Sequence, residues 1–271
     1  MKFTLLGTGN SAMLPVYGCE CTACRRAMDE PKYRRNKTSA MVQNNGKTLI
    51  IDANLPNLLE RFPPKSIDRI LLTHYHMDHV HSLFDLRFGF FRTQEERIPV
   101  NGPHDSLGCD DLYKHPGLLA FQPPFKPFET FEWEGIRITT LPLNHSKPCL
   151  GYVFEWQGRR LAYLTDTFGL SELAQNWLKM NPVEWMFIDC GYPPQAFRGD
   201  GAVRNHSTVE QILAIKKECQ PVKVGLIHIG HELENWALSQ PDCFSENLFL
   251  AQDGLCVTLQ SDNQSGICSV I

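Results

Sequence analysis

The sequence has little that would place it in a membrane or draw it to nucleic acid. No stretch approaches the roughly 20 apolar residues that a transmembrane helix needs. After Lys2 the apolar run covers only residues 3–6 before Gly7, too short for the apolar region of a secretory signal, so a cytoplasmic location is expected. Positive charge is not in excess: 26 Lys and Arg stand against 30 Asp and Glu, a formal net charge of -4, and the global field would not attract a polyanion. The chain shows no internal repeat, low-complexity block, interdomain linker or coiled-coil seam. With 42% hydrophobic and 21% charged residues in 271, it has the balance of a soluble globular protein long enough to bury a substantial core. Residues 1–260 are expected to form one domain, followed by a polar, small-residue tail at 261–271.

Short apolar runs recur at residues 3–6, 48–51, 69–72, 136–141, 151–156, 160–164, 185–188, 224–227 and 255–259, with the length and the β-branched or aromatic content of strands. Helical patterns lie between some of them. The clearest starts at Ser207, where Ser207 and Glu210 match a capping box and Val209, Ile212 and Leu213 would share a face. Residues 170–180 and 55–62 are weaker candidates. Proline pairs at 63–64, 123–124 and 193–194 mark loop corners. Many strands with interspersed helices imply an α/β protein with large sheets.

Against this ordinary background stands one unusual run, Thr73-His74-Tyr75-His76-Met77-Asp78-His79, directly after the apolar stretch at 69–72. While the chain is extended, residues two apart face the same way, so His74 and His76 can grip one ion together. Asp78 and His79 follow as the chain turns and can reach a second. Three imidazoles and a carboxylate in six residues offer mixed nitrogen and oxygen donors suited to Zn, Mn, Fe or Ni. A solvated histidine-rich turn is the competing account, but four ligand-type residues at this spacing after a strand do not fit it well.

Cysteine supplies a second cluster. Of ten, three group as Cys19-Glu20-Cys21-Thr22-Ala23-Cys24, while the other seven are scattered and read as small buried hydrophobes. Three soft donors in six residues select Zn, and the fourth ligand a closed site needs is best supplied by His231, three residues after His228. Such a zinc would be structural, stapling the N-terminal loop to the segment that carries His228.

The pattern H-x-H-x-D-H after a strand resembles the metallo-β-lactamase superfamily, which pairs it with a later His, Asp and His at strand ends. His145, Asp166 and His228 stand at such places. The resemblance implies the metallo-β-lactamase fold, an αββα four-layer sandwich. It implies that His74, His76 and His145 hold one catalytic ion, that Asp78, His79 and His228 hold the other, and that Asp166 bridges them. It also supports pairing the cysteine triplet with His231. Two ions a few ångströms apart lower the pKa of a shared water and clamp both oxygens of an in-line displacement. Within the superfamily, the segments Gly18-Cys19-Glu20-Cys21, Leu72–His79, Gly108-Cys109-Asp110-Asp111-Leu112-Tyr113-Lys114-His115-Pro116-Gly117-Leu118-Leu119 and Pro142-Leu143-Asn144-His145-Ser146-Lys147 are similar to the PhnP family, as are Ile188-Asp189-Cys190 and Arg204-Asn205-His206. That family is the phosphoribosyl cyclic phosphodiesterases of the carbon–phosphorus lyase pathway. What it implies is hydrolysis of 5-phospho-α-D-ribose 1,2-cyclic phosphate to ribose 1,5-bisphosphate, with two divalent ions (Mn or Zn, with Ni or Fe also accommodated) and one structural Zn. The longer tail and residues 88–94 depart from the family and touch no expected ligand.

On that reading Asp78 and His206 are the catalytic side chains, His206 as general acid to the departing ribose oxygen, because imidazole titrates near working pH. Lys147 could pair with a phosphate oxygen. Arg34 and Arg35 could do so bidentately, but a solvated charge run is preferred; His81, His104 and His115 have no role. Gly7-Thr8-Gly9 lacks the third glycine of a dinucleotide fingerprint, since Ala12 stands there, and serves a tight loop. The expected partner is a phosphorylated sugar, with no nucleic acid and no membrane, and a homodimer is the candidate assembly. The alternatives are an RNA-processing nuclease of the tRNase Z type, which would want a Lys/Arg-rich arm the chain lacks, the pyrroloquinoline-quinone biosynthesis protein B family, and a metal-binding scaffold without catalysis.

Overall fold

A computed structural model describes residues 1–108, 110–194 and 205–260, and the backbone of 266–268. Its strands form two sheets. The first runs in the order β15 (Gly266–Cys268), β14 (Cys256–Thr258), β1 (Lys2–Gly7), β2 (Ser39–Asn44), β3 (Lys47–Ile51), β4 (Arg69–Leu71), β5 (Ile98–Asn101) and β6 (Leu119–Phe121). The second runs β13 (Leu248–Leu250), β12 (Lys223–Ile227), β11 (Trp185–Asp189), β10 (Arg159–Leu164), β9 (Cys149–Trp156), β8 (Ile136–Leu143) and β7 (Thr130–Trp133). Helices α1 (Thr22–Asp29), α2 (Leu58–Arg61), α3 (Met77–Leu86), α4 (Asp110–Lys114), α5 (Glu172–Met180), α6 (Val209–Cys219) and α7 (His231–Ser239) join them.

Each sheet mixes an antiparallel and a parallel part, and local chemistry decides which. Three hairpins close through two-residue loops whose residues both have positive φ: Asn45-Gly46 between β2 and β3, Glu134-Gly135 between β7 and β8, and Gln157-Gly158 between β9 and β10. Such loops match the right-handed strand twist and want glycine second. From β3 through β6, and from β10 through β13, neighbouring strands are parallel and need longer crossovers.

Three apolar clusters show why the layers stack. Phe3, Leu5, Val42, Leu49 and Leu71 of the first sheet meet Ile138, Tyr152, Phe154, Tyr163 and Phe187 of the second in a buried interior between the sheets. The outer face of the first sheet, through Ile50, Ile70, Leu72 and Val100, packs on Val80, Leu83 and Leu86 of α3. The outer face of the second, through Val153, Ala162, Leu164, Met186 and Leu226, packs on Leu178 of α5, Ile212 and Ile215 of α6 and Leu233 of α7. This is the four-layer αββα arrangement expected. A fully buried Leu or Phe contributes roughly 1.5–3 kcal/mol, so both faces of each sheet must be covered, and the strands read as near-continuous apolar runs.

Several sequence expectations need correction. Helix α6 is capped by Thr208, not Ser207: the Thr208 N–H donates to the Gln211 side chain at 2.9 Å. The Ser207 hydroxyl instead donates to the Thr167 carbonyl at 2.6 Å. The buried face of α6 is Val209, Ile212, Ile215 and Cys219, and Leu213 is exposed. Within the expected tail, Gly266–Cys268 adds an edge strand to the first sheet; residues 261–265 and 269–271 lie outside the described residues, as do Cys109 and Arg204. Cys149, Cys190 and Cys219 are buried and free, but Cys243 is exposed and Cys256 is disulfide-bonded. Among the described residues no helix is long and apolar enough to cross a membrane.

Candidate metal centres

The carboxyl ends of the parallel strands converge on one edge of the sandwich, where ligands of α/β sheets commonly bind. Strand β3 delivers Asp52, β4 leads into Thr73 and His74, β10 into Asp166, β11 ends at Asp189, and β12 delivers His228. His76 precedes α3 in extended conformation, and Asp78 and His79 occupy its first turn. The motif is thus half strand-end and half helix, which turns its four donors toward two points.

At the first point His76 Nδ1 lies 2.9 Å from His74 Nε2 and 3.0 Å from His145 Nε2, and Asp166 Oδ2 lies 3.7 Å from both of those Nε2 atoms. At the second, His79 Nε2 lies 3.5 Å from Asp78 Oδ2 and 3.2 Å from Asp166 Oδ1, while His228 Nε2 lies 3.7 Å from Asp78 Oδ2 and 3.4 Å from Asp166 Oδ2. Donors around one tetrahedral ion with bonds near 2.0–2.1 Å fall roughly 3.3 Å apart, and these separations bracket that value. Asp166 belongs to both groups, as a bridging carboxylate must.

The protonation pattern fits cations. His79 Nδ1–H donates to Asp52 Oδ2 at 2.7 Å, His74 Nδ1 faces Thr73 Oγ1 at 3.0 Å, and His145 Nδ1 faces the Asn205 carbonyl at 3.3 Å. The Thr73 hydroxyl itself donates to Asp52 at 2.8 Å, so its oxygen is left to accept from His74. These bonds put the proton on Nδ1 and leave Nε2 bare toward the ion position. His79 Nε2 and both ring nitrogens of His228 are buried without a hydrogen-bond partner, a state that costs about 1–3 kcal/mol per group unless something else binds it. Burial and neighbouring imidazoles push His74, His76 and His145 down, so they stay neutral and ligand-competent; the Lys147 charge is among those felt at His76. For His79, burial pulls down but the Asp166 and Asp52 carboxylates push it well up. Burial likewise opposes the charge of Asp166, yet His228, His79 and His74 hold its carboxyl well below the usual range.

His206 stands beside this array. Its Nδ1 lies 2.7 Å from Asp189 Oδ2, its ring stacks on His228 with centroids 4.3 Å apart, and one ring nitrogen lies within 4.8 Å of donor atoms of Asp166 and His228. Burial pulls its pKa down, but the carboxylates of Asp189, Asp166 and Asp78 raise it to about 9.

The cysteine cluster is also assembled. His231 Nδ1 lies 3.2, 3.7 and 3.9 Å from the Sγ atoms of Cys19, Cys21 and Cys24, against roughly 3.5 Å for a tetrahedral zinc with these donor types. Burial pushes the Cys24 thiol up to about 12, so its thiolate needs a cation beside it. Cys21 caps α1 and His231 opens α7. The segment between His228 and α7 is laced to the N-terminal loop, with Ile229 N–H donating to Thr8 O at 2.9 Å and Asn10 N–H to Ile229 O at 3.2 Å. This places Gly7-Thr8-Gly9 in a tight loop, where a Cβ on Gly7 would sit 1.9 Å from the Lys37 carbonyl oxygen.

Other expectations fared differently. Arg35 is not a solvated charge: it is buried, with an ion pair to Glu234 at 2.8 Å, and Glu234 also meets Arg26 at 2.5 Å. Arg34 donates to the Ala27 carbonyl at 3.1 Å. Lys147 is already paired, with Asp105 at 2.9 Å. His81, His104 and His115 are exposed. Sequence reasoning missed Asp52 and gave Asp189 no role; the signal available was an acidic residue ending an otherwise buried apolar run.

A family model described as a beta-lactamase superfamily domain matches residues 49–229, a span that contains all seven donors of the paired site. The chain belongs to the metallo-β-lactamase superfamily. An octanoyltransferase from Porphyromonas gingivalis is 27% identical, the match covering 85% of this chain and 46% of that one. A ribonuclease Z from Bacteroides thetaiotaomicron is 30% identical, covering 85% of this chain and 92% of that one. The chain therefore spans about half the length of the first of these curated relatives and nearly all of the second. Among solved structures, a diphosphatase of the PhnP family superposes with a TM-score of 0.78 at 25% identity, covering 96% of this chain and 98% of that one.

Proposed function

We propose that the chain is a metal-dependent phosphodiesterase of small phosphorylated sugars, acting in the cytoplasm on 5-phospho-α-D-ribose 1,2-cyclic phosphate to give ribose 1,5-bisphosphate, as phosphonate catabolism requires. The observation that carries this reading is His206, held by Asp189 and stacked on His228 at the edge of the seven-donor array. His74, His76, His145 and Asp166 would hold one divalent cation, and Asp78, His79 and His228, with Asp166, the other. Mn or Zn suits these donors, and Ni or Fe is accommodated. Cys19, Cys21, Cys24 and His231 would hold a structural Zn. Two such cations, when bound, offset the charge of the diester and lower the pKa of a shared water.

The remaining work falls to the chain. Asp189 accepts from His206 Nδ1 and from the Thr167 N–H at 2.8 Å, so it fixes the His206 tautomer and the turn after Asp166 together. With Nδ1 held by Asp189, the other ring nitrogen of His206 is the one placed to pass a proton to the departing ribose oxygen. Replacing His206 by Ala should then lower kcat by roughly 10²–10⁴ for an alkoxide leaving group and much less for 4-nitrophenolate, which needs no proton. Equal losses on both substrates would remove the general-acid role. Phosphorus NMR of the cyclic sugar with Mn-loaded protein tests the substrate directly, and product with phosphate left on O2 rather than O1 would overturn the leaving-group assignment.

The Bacteroides relative named ribonuclease Z supports a second reading, an RNA-cleaving nuclease of the tRNase Z type. A precursor tRNA assayed in parallel separates them: cleavage of RNA with no opening of the cyclic sugar favours the nuclease, and no turnover of either with metals bound favours a scaffold.

A further inference from the structure

Lys147 follows the donor His145 by two residues and sits where the loop before β9 meets the loop after β5. Its Nζ lies 2.9 Å from Asp105 Oδ2, and Asp105 Oδ1 accepts the Leu107 N–H at 3.0 Å. The Asp105 side chain is only 9% exposed and that of Lys147 27%. The loop that carries Asp105 rests on Tyr75, the residue between donors His74 and His76. A Cβ on Gly108 would lie 2.6 Å from the Tyr75 ring, and one on Gly102 3.1 Å from its hydroxyl oxygen. The Lys147–Asp105 pair is therefore tied to the metal donors at both ends, through His145 on one side and Tyr75 on the other.

We propose that this pair is an anion subsite at the rim of the candidate metal centre that takes a second, non-reacting phosphate of the substrate, with Lys147 as the contact and Asp105 as the positioning residue. The proposal rests on the phosphodiesterase reading above. Four carboxylates, those of Asp52, Asp78, Asp166 and Asp189, surround the donor array. Two divalent cations would do no more than offset these charges, so a phosphate dianion not itself engaged by those cations needs another cation nearby. An ammonium group has three donors, of which Asp105 uses one, so two remain for phosphate oxygens. Asp105 also removes the rotational freedom of a four-carbon stem before the ligand arrives.

The test compares metal-loaded wild type, Lys147→Met, Lys147→Arg and Asp105→Asn on ribose 1,2-cyclic phosphate with and without its 5-phosphate. Ribose 5-phosphate is assayed beside them as an inhibitor of bis(4-nitrophenyl) phosphate hydrolysis. The expected result is a preference for the phosphorylated sugar that falls about tenfold or more in Lys147→Met, the size of one lost charge-assisted hydrogen bond. The loss should come through KM rather than kcat, with a smaller loss in Asp105→Asn and most of the preference kept in Lys147→Arg. The inhibition constant of ribose 5-phosphate should rise in parallel. Equal losses on both sugars with an unchanged inhibition constant would make the pair a tie between two loops and overturn the proposal. If wild type opens neither sugar, the substrate reading falls on that result alone, and the inhibition constants still support or overturn the subsite.

Discussion

Replacing Asp52 by Asn tests how the chain supports His79, a donor to the second of the two proposed cations. Asp52 is fully buried and accepts three hydrogen bonds, from Thr73 N–H at 2.7 Å, Thr73 Oγ1 at 2.8 Å and His79 Nδ1 at 2.7 Å. An asparagine of the same shape has one acceptor oxygen, and its amide group turns two N–H donors toward atoms that are themselves donors. At least one bond to a charged acceptor is lost, and His79 Nδ1 is the donor with no other partner. Loss of such a support typically weakens a metal site 10–100-fold, or about 1.4–2.7 kcal/mol. The effect should be unequal. His79 rests on Asp52 directly, whereas His74 reaches it only through the Thr73 hydroxyl. The cation at Asp78, His79 and His228 should therefore leave first, and the Mn concentration that restores half-maximal diesterase activity should rise 10–100-fold. Elemental analysis after dialysis against limiting metal reads the same loss as ions per chain, with the zinc at the cysteines as an internal control for folding. An unchanged Mn midpoint with two ions kept would refute the support role. Loss of the cysteine zinc along with the others would show that the variant misfolds, and an Asp52→Glu variant would then be needed to restore the acceptor.

Two further outcomes follow from the N-terminal side. Cys21→Ser should remove the structural zinc and, by loosening the junction of Ile229 with Thr8 and Asn10, lower occupancy of the cation held in part by His228; a variant without structural zinc but with both catalytic ions and full activity would sink that coupling. Glu234→Ala strands Arg35, whose side chain is only 4% exposed, and should cost about 3–5 kcal/mol in urea unfolding because a buried charge loses its partner. A change below about 1 kcal/mol would mean that the remaining partners of Arg35, Thr8 and the Ala251 carbonyl, suffice for it.

Contiguity decided what could be read in advance. His74, His76, Asp78 and His79 lie in one run, and their spacing needs only a strand end and a turn to become a site. Each of the nine apolar runs marks a strand, with overhangs of one residue at 72, 255 and 259, because residues buried on both faces of a sheet must be apolar throughout. Strands β2, β6, β7, β13 and β15 escaped notice: they are short or carry polar residues, as in Thr130–Trp133 with its two exposed positions. The Asn45-Gly46 pair was a hairpin signal that would have recovered β2. Asp52, Asp105 and the Arg35–Glu234 pair could not be read locally, since each acts on a residue at least 21 positions away and owes its importance to burial. The fault with Ser207 was of another kind: two adjacent hydroxyl residues both suited a cap, and the choice fell to which of them the turn at Thr167 claimed first.

The same convergence explains a cost written into the backbone. Asp52, Asp166 and His228 all adopt left-handed conformations, with φ of 59, 59 and 56°. Each such residue costs roughly 1–2 kcal/mol, and Asp and His tolerate it better than most. All three follow strands whose side chains are buried to the last residue, β3, β10 and β12. A strand that simply continued would carry its next side chains on in the same alternation, toward a core that cannot take a charge. The left-handed step breaks the alternation where the apolar run stops and aims the polar side chain along the sheet edge instead. Because the three steps gather at one edge of two packed sheets, the polar groups meet each other rather than water. The fold and the donor array are in this sense one arrangement: the buried strands fix where the left-handed residues must fall, and the charge they gather there is what suits this edge to cations.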